Sequence, residues 1–253
     1  MDTARQILSK YDSIFDNLPA KGNLRFGRST VSISSIASQY YCEKKLELRN
    51  EHPLPPTKTM IKGEAGHEAV TTLAVPISKE ESIQEAWEPR EKPLCIYEFS
   101  IGWIHNGVPI IGLVDEAWFR GGTVDIVVER KFSNNLSVYS PYHVQAQLYC
   151  LGLGEMGFDN KSTHYRIMVC KRSCIECVKL KDNTCGISNT EKTEFQCNSG
   201  GAIAYSYPFN KDKIVKDLDW ALDYWTGRRE AVPTKNRAKC RVCEYHSQCA
   251  QSL

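Results

Sequence analysis

Three features of this 253-residue sequence predict an α/β fold. Strand-like segments separated by glycine turns fill its middle, amphipathic helical segments stand before and after them, and two further strand-like segments follow the central helix. Hydrophobic residues make up 42% and charged residues 25%, proportions that exclude disordered and fibrous classes. The length suits a single domain, 1–253, with accessory elements. A formal net charge of +2 leaves any nucleic-acid contact to local basic patches. No apolar run reaches the length of a membrane span, and Met1-Asp2-Thr3-Ala4-Arg5 lacks the apolar region of a signal peptide. A cytoplasmic protein without a membrane partner is expected.

Taken in order, residues 4 to 18 place Ile7, Leu8, Tyr11, Ile14, Phe15 and Leu18 at helical spacing, and Lys21 to Arg28 reads as a basic linker. Ser34 or Ser35 can cap a second helix through Ile36, Tyr40 and Cys42 to Leu48, stopped before Pro53 and Pro55. Met60 to Leu73 reads as helical, with His67 projecting near Glu64 and Glu68. Leu94 to Ile104 is a strand closed by Asn106-Gly107. Ile110 to Phe119 and Thr123 to Lys131 follow, joined at Arg120-Gly121-Gly122, which makes an antiparallel meander.

After the meander, Ser140 can cap and Pro141 can open a helix through Leu151, with Val144, Leu148 and Leu151 as its core stripe. His164 to Cys170 and Ala202 to Pro208 read as strands joined by a cysteine-bearing loop, 171–201. Asn210 caps an amphipathic helix with Ile214, Leu218, Ala221, Leu222 and Trp225 inward and Gly227 at its end. A basic segment follows, carrying Arg228, Arg229, Lys235, Arg237, Lys239 and Arg241.

The second hairpin carries the chemistry. Asp115 sits in an apolar strand, where an unpartnered carboxylate is costly to bury. On the next strand the two-residue period sets Asp125, Val127, Glu129 and Lys131 on one face. Two carboxylates and an ammonium suit Mg²⁺ or Mn²⁺, with Lys131 orienting or deprotonating a water. A solvated pair is the ordinary meaning of Glu-x-Lys in a strand, and the placement of Asp115 argues against it. His67 is a candidate further ligand. Gln145 and Tyr149, four apart on one helix, could meet a single ligand backbone or form a plain flank pair.

Eleven cysteines is an odd number and no export signal accompanies them, so the clustered ones read as metal thiolates. Cys240-x2-Cys243-x5-Cys249 lacks one ligand of a four-cysteine site, and Cys42 is the candidate for it; the set suits a [4Fe-4S] cluster or a structural zinc. Cys174, Cys177, Cys185 and Cys197 form a second group, a candidate Zn²⁺ site confined to the loop. Cys95 and Cys150 read as buried and inert, and Cys170 likewise unless it joins the loop group.

Taken together, His67, Asp115 in GLVD, Glu129-Arg130-Lys131, Gln145-x3-Tyr149, and one early plus three late cysteines resemble the RecB-like nucleases of the PD-(D/E)XK superfamily. The resemblance is closest to the CRISPR-associated iron-sulfur exonuclease family and runs from about Ser34 to Cys249. It implies a restriction-endonuclease-like core, with a mixed central sheet flanked by helices. It also implies a [4Fe-4S] cluster on Cys42, Cys240, Cys243 and Cys249 that joins helical parts at 29–59 and 210–253. His67, Asp115, Glu129 and the Arg130 carbonyl would bind Mn²⁺ or Mg²⁺, and Lys131 would activate the water. Gln145 and Tyr149 would hold DNA, with Arg228, Arg229, Arg237 and Arg241 along its channel. The Cys174 to Cys197 loop departs from the family pattern.

The activity so implied is a metal-dependent DNA exonuclease on single-stranded ends, serving CRISPR spacer acquisition beside integration proteins, or general repair. A non-catalytic iron-sulfur DNA-binding adaptor is the alternative, and the intact Asp115, Glu129 and Lys131 argue against it. An electron-transfer protein would leave the acidic hairpin without a purpose.

Overall fold

A computed structural model describes residues 2–16, 18–57, 61, 64–65, 67–68, 77–177, 185–188 and 192–253. Helix α1 (Asp2–Asp16) buries Ala4, Ile7 and Ile14, as its apolar spacing requires. The expected linker is instead docked, because Arg25 donates from Nε to the Tyr224 carbonyl and from Nη2 to the Arg229 carbonyl, each at 2.7 Å. A short strand β1 (Val31–Ser32) leads directly into α2 (Ile33–Gln39).

The continuous helix expected from Ser34 or Ser35 to Leu48 is corrected in two ways. Ser32 is the cap: it is the last extended residue, and its Oγ accepts the Ser35 N–H at 3.2 Å, whereas Ser34 and Ser35 already lie inside the helix. The helix also ends at Gln39 and restarts as α3 (Glu43–Glu51), with Cys42 in an extended conformation at the new N-cap. Ile61, Glu64, Ala65, His67 and Glu68 are helical, and the remainder of the helix expected over 60–73 lies outside the described residues. Helix α4 (Lys79–Trp87) begins with a reciprocal Ser78–Glu81 capping box.

The meander forms as its glycines predict. Strands β2 (Leu94–His105), β3 (Val108–Arg120) and β4 (Thr123–Phe132) are joined by two-residue turns. In both turns the central residues have positive φ, 48° and 79° at Asn106-Gly107 and 55° and 84° at Gly121-Gly122, a pair of conformations that asparagine and glycine tolerate. Helix α5 (Ser140–Met156) carries proline in its first turn and ends at the left-handed Gly157; its N-cap is Tyr139, with Ser140 the first helical residue.

Strands β5 (His164–Cys170), β6 (Glu194–Gln196) and β7 (Ala202–Pro208) precede helix α6 (Lys211–Trp225) and a short α7 (Arg237–Arg241). Asn210 caps α6 by accepting the Lys213 N–H at 2.9 Å.

The seven strands form one mixed sheet in the order β1-β3-β4-β5-β7-β6, with β2 on the other edge of β3. β1 runs parallel to β3 and β4 parallel to β5, and the remaining pairs are antiparallel. Alternation along β5 divides the interior. Tyr165, Ile167 and Val169 enter the main core with residues of α1, α2, α4, α5 and α6. Met168 and Cys170 enter a second, smaller core with Val128, Phe132, Ile187, Ala202 and Ala204. Ile187, with Cys174, Cys185 and Cys197 beside it, therefore brings the described part of the 171–201 segment onto this small core. Among the described residues no helix is long and apolar enough to cross a membrane.

Candidate active site and cysteine clusters

The site forms where the β3–β4 hairpin opens. β4 pairs with β3 back to Glu116↔Val128 and then leaves it, so Glu129 to Phe132 pair with β5, while β1 takes the edge of β3 at Ile110 and Ile111. Asp115 stands in this fork, where its Oδ2 accepts the Arg130 N–H at 2.7 Å in place of a ladder bond. Across on β2, the ladder skips Glu98, whose φ is 52°. A left-handed conformation costs a non-glycine residue about 1–2 kcal/mol. A cavity of about 470 Å³ opens at the fork, with Glu64, His67, Glu98, Asp115, Lys131 and Gln145 in its wall.

Glu129 is 0% exposed, which rules out a solvated Glu-x-Lys pair. Its carboxylate is in ion-pair contact with the Lys131 ammonium, and neither oxygen has a regular hydrogen-bond donor. Burial pushes its pKa up to about 8, the Lys131 charge opposing and the Asp115 charge adding. Burial alone would lower the pKa of Lys131, but the Glu129 and Asp115 carboxylates outweigh it and the value is raised. Lys131 Nζ donates to Gln145 Oε1 at 3.4 Å, and Gln145 Nε2 donates to the Tyr149 hydroxyl at 2.7 Å. Tyr149 is 3% exposed, touches Gln145 through its hydroxyl, and lines a neighbouring cavity with Ser34 and Leu113.

His67 Nδ1 lies 3.9 Å from Asp115 Oδ2, and its ring meets Phe132 edge-on at 5.7 Å. Burial lowers its pKa, favouring the neutral imidazole, with Asp115 opposing. The Arg130 side chain is buried with Glu116, donating from Nε at 2.9 Å, and only the Arg130 backbone is shown to meet Asp115. The donor set suits a hard divalent cation, since a buried carboxylate met by the Lys131 ammonium and by no regular hydrogen-bond donor leaves lone pairs that such an ion would satisfy. As placed, no three His, Cys, Asp or Glu side chains among the described residues stand within reach of one ion. Glu98 was not anticipated from the sequence. Its signal is an acid inside the strand-like run LCIYEFSIGW, the same anomaly that marks Asp115.

The basic segment is divided. Arg229 turns inward, donating from Nη1 and Nη2 to Glu43 at 2.6 Å each, and its guanidinium lies 3.8 Å over the Trp220 ring. It is a structural tie between α3 and the chain after α6. Arg228 is exposed beside Asp223 at 3.2 Å, and Arg237 and Arg241 are exposed.

Cys42, Cys240, Cys243 and Cys249 are all free thiols and line one cavity of about 20 Å³ together with Tyr41, Lys45 and Lys239. Thr234 N–H donates to Cys42 Sγ at 3.4 Å, and the Cys42 thiol stands at a helix N-terminus. Four thiols around one cavity, with the Thr234 N–H and two ammonium groups beside them, are a donor set of the kind a metal cluster takes, although as placed no three of them stand within reach of one ion. In the loop group Cys174 is partly buried, which raises its pKa, and Cys177, Cys197 and Cys185 lie near enough to raise it further. Cys150 and Cys170 are buried and Cys95 partly so; burial pushes all three thiols up, that of Cys170 to about 12.

Comparison with known proteins points the same way. The family model for exonuclease V, described as a 5′ deoxyribonuclease, matches residues 138–251. The second half of the chain is similar to exonuclease V. Mitochondrial exonuclease V of Candida dubliniensis is 38% identical over 67 residues, 25% of this chain and 10% of that protein. The Candida albicans (strain WO-1) protein of the same name is 33% identical over 43 residues, 17% of this chain and 7% of the relative. The match thus spans a tenth or less of these curated relatives. The family match takes in Gln145, Tyr149 and the late cysteines, and it supports a nuclease. A crystal structure of SSO0001 aligns over 100% of this chain and 98% of its own, at 11% identity and a TM-score of 0.45.

Proposed function

We propose that this chain is a divalent-metal-dependent DNA exonuclease with a PD-(D/E)XK centre, acting at single-stranded ends. The observation that carries the reading is the fork itself: Asp115 and Lys131 line one cavity, the wholly buried Glu129 pairs with Lys131 behind its wall, and Gln145 rests on the lysine. His67, Asp115, Glu129 and the Arg130 carbonyl would hold Mg²⁺ or Mn²⁺. When bound, such an ion polarises a phosphoryl oxygen and lowers the pKa of a water.

The chain's own residues do the rest. Lys131 points an ammonium proton at the attacking water and balances the charge that develops on the phosphate. Gln145 fixes Lys131, and Tyr149 fixes Gln145 from below. Water oxygen forms the new bond to phosphorus and gives up its proton to solvent, as the sugar oxygen leaves with the old bonding pair and takes up a proton from solvent. Arg228, Arg237 and Arg241 are exposed charges available to the phosphate backbone. Cys42, Cys240, Cys243 and Cys249 would carry a [4Fe-4S] cluster that fixes this basic segment beside the nuclease core. Similarity to exonuclease V over 138–251 favours general DNA end processing, while spacer acquisition and integration partners rest on the resemblance in the motifs alone.

The deciding experiment compares degradation of end-labelled single-stranded DNA by wild type with Mn²⁺, wild type with chelator, and Lys131→Ala. Chelator should abolish activity, and Lys131→Ala should lower kcat by about 10²–10⁴-fold, the range for a positioned proton-handling group. Full activity in the variant would remove Lys131 from the chemistry.

A further inference from the structure

In the described part of the 171–201 segment Ile187 is wholly buried and Phe195 partly buried against the small core, and the cysteines stand beside them. Cys174 and Cys177 share a turn in which the Cys177 N–H donates to the Cys174 carbonyl at 3.0 Å. Cys197 opens a second turn, with the Gly200 N–H donating to its carbonyl at 2.8 Å. Gly201 lies between the two turns. A Cβ there would stand 3.1 Å from Cys174 Sγ and 3.9 Å from Cys197 Sγ, so its absence keeps open a gap flanked by two sulfurs. Cys185 reaches the same rim, packing with Cys174 and Cys197 against the small core.

The geometry points to a structural zinc site held by Cys174, Cys177, Cys185 and Cys197, one ion per chain. A set of four thiols without a carboxylate is soft and closed, the donor set of structural zinc and not of Mg²⁺. The two-residue gap of the first pair is usual for zinc-binding turns. As placed, no three of these sulfurs stand within reach of a single ion. Zn–S bonds of about 2.3 Å put tetrahedral sulfurs about 3.8 Å apart, so binding would draw Cys177 and Cys185 toward Cys174 and Cys197.

The site would staple the loop to the sheet end beside the candidate catalytic strand. Lys171 N–H donates to the Gly201 carbonyl at 2.7 Å and Ser133 N–H to the Cys170 carbonyl at 2.8 Å. Phe132 belongs to the same small core, and its ring carries His67. The zinc assignment does not depend on the nuclease reading.

Elemental analysis of the purified full chain tests it. One equivalent of zinc is expected, absent from Cys174→Ser/Cys197→Ser and retained in Cys243→Ser; zinc content unchanged by the loop substitutions overturns the proposal. If the loop variant does not fold, alkylation of wild type mapped by mass spectrometry decides. Cys174, Cys177, Cys185 and Cys197 should resist alkylation until a zinc chelator is added. Equal labelling with and without chelator, or disulfides among the four, overturns it.

Discussion

Glu129 sets the residue-scale energetics of the site. Its pKa rises from an ordinary carboxyl value to about 8 on folding, chiefly by burial, so the folded chain binds a proton that the unfolded chain has released. The contribution to stability is full below the unfolded pKa and is lost as pH climbs through about 8. Without divalent metal, the thermal midpoint of wild type should therefore fall between pH 6 and pH 8.5, and Glu129→Gln should flatten that fall. Equal slopes in the two proteins would show that the carboxyl is not buried as described. Glu98 offers a second prediction at this scale. Relief of its left-handed backbone in Glu98→Gly should raise stability by about 1 kcal/mol in urea denaturation. Activity should fall, because the carboxylate leaves the cavity wall. Loss of stability would mean that the side chain contributes more to the fold than the conformation costs.

At the scale of elements, α5 acts as a relay. Tyr149 is buried beneath Gln145, which touches Lys131, so the helix aligns a side chain and does not simply grip DNA. Tyr149→Phe should lower kcat by roughly 5–10-fold, about the worth of one hydrogen bond, with little change in DNA affinity measured by anisotropy. An equal loss of affinity would restore Tyr149 as a direct contact. The strands were legible in the sequence because alternation and paired positive-φ turn residues are local signals. His164 to Cys170 and Ala202 to Pro208 are bounded as read. The break between α2 and α3 was not, since Tyr40 and Cys42 continue the helical spacing and only tertiary packing pulls Cys42 into an extended cap. β1 is likewise invisible: two residues gain strand character only by pairing with Ile110 and Ile111. Asp115 and Lys131 could be named from sequence as chemically odd, whereas the inward turn of Arg229 depends on Glu43, far away in the chain.

Across the whole molecule, the segment around Cys42 and Glu43 is joined to the chain after α6 in two ways, beside the Arg25 bonds to Tyr224 and Arg229 and the Trp225–Gln39 bond. One tie is polar: buried Glu43 accepts from Arg229, from the Val232 N–H at 2.8 Å and from Gln39 Nε2 at 2.7 Å. The other is the proposed cluster, whose thiols come from Cys42, one residue before Glu43, and from the last turns of the chain. Both close nearly the same long loop, and loop closure of this length is worth about 5 kcal/mol of chain entropy in total, not per tie. Removing either tie alone should therefore leave the ends together and cost less than that amount, apart from the local penalty of an unpaired Glu43. Removing both leaves the closure to the Arg25 and Gln39 contacts with the end of α6. Cys243→Ser combined with Arg229→Ala should accordingly destabilise the protein by more than the sum of the single changes, with an interaction of about 1–3 kcal/mol in urea denaturation, as coupled sites show. Additivity within about 0.5 kcal/mol would mean that the cysteines and the Arg229–Glu43 pair hold separate parts of the fold.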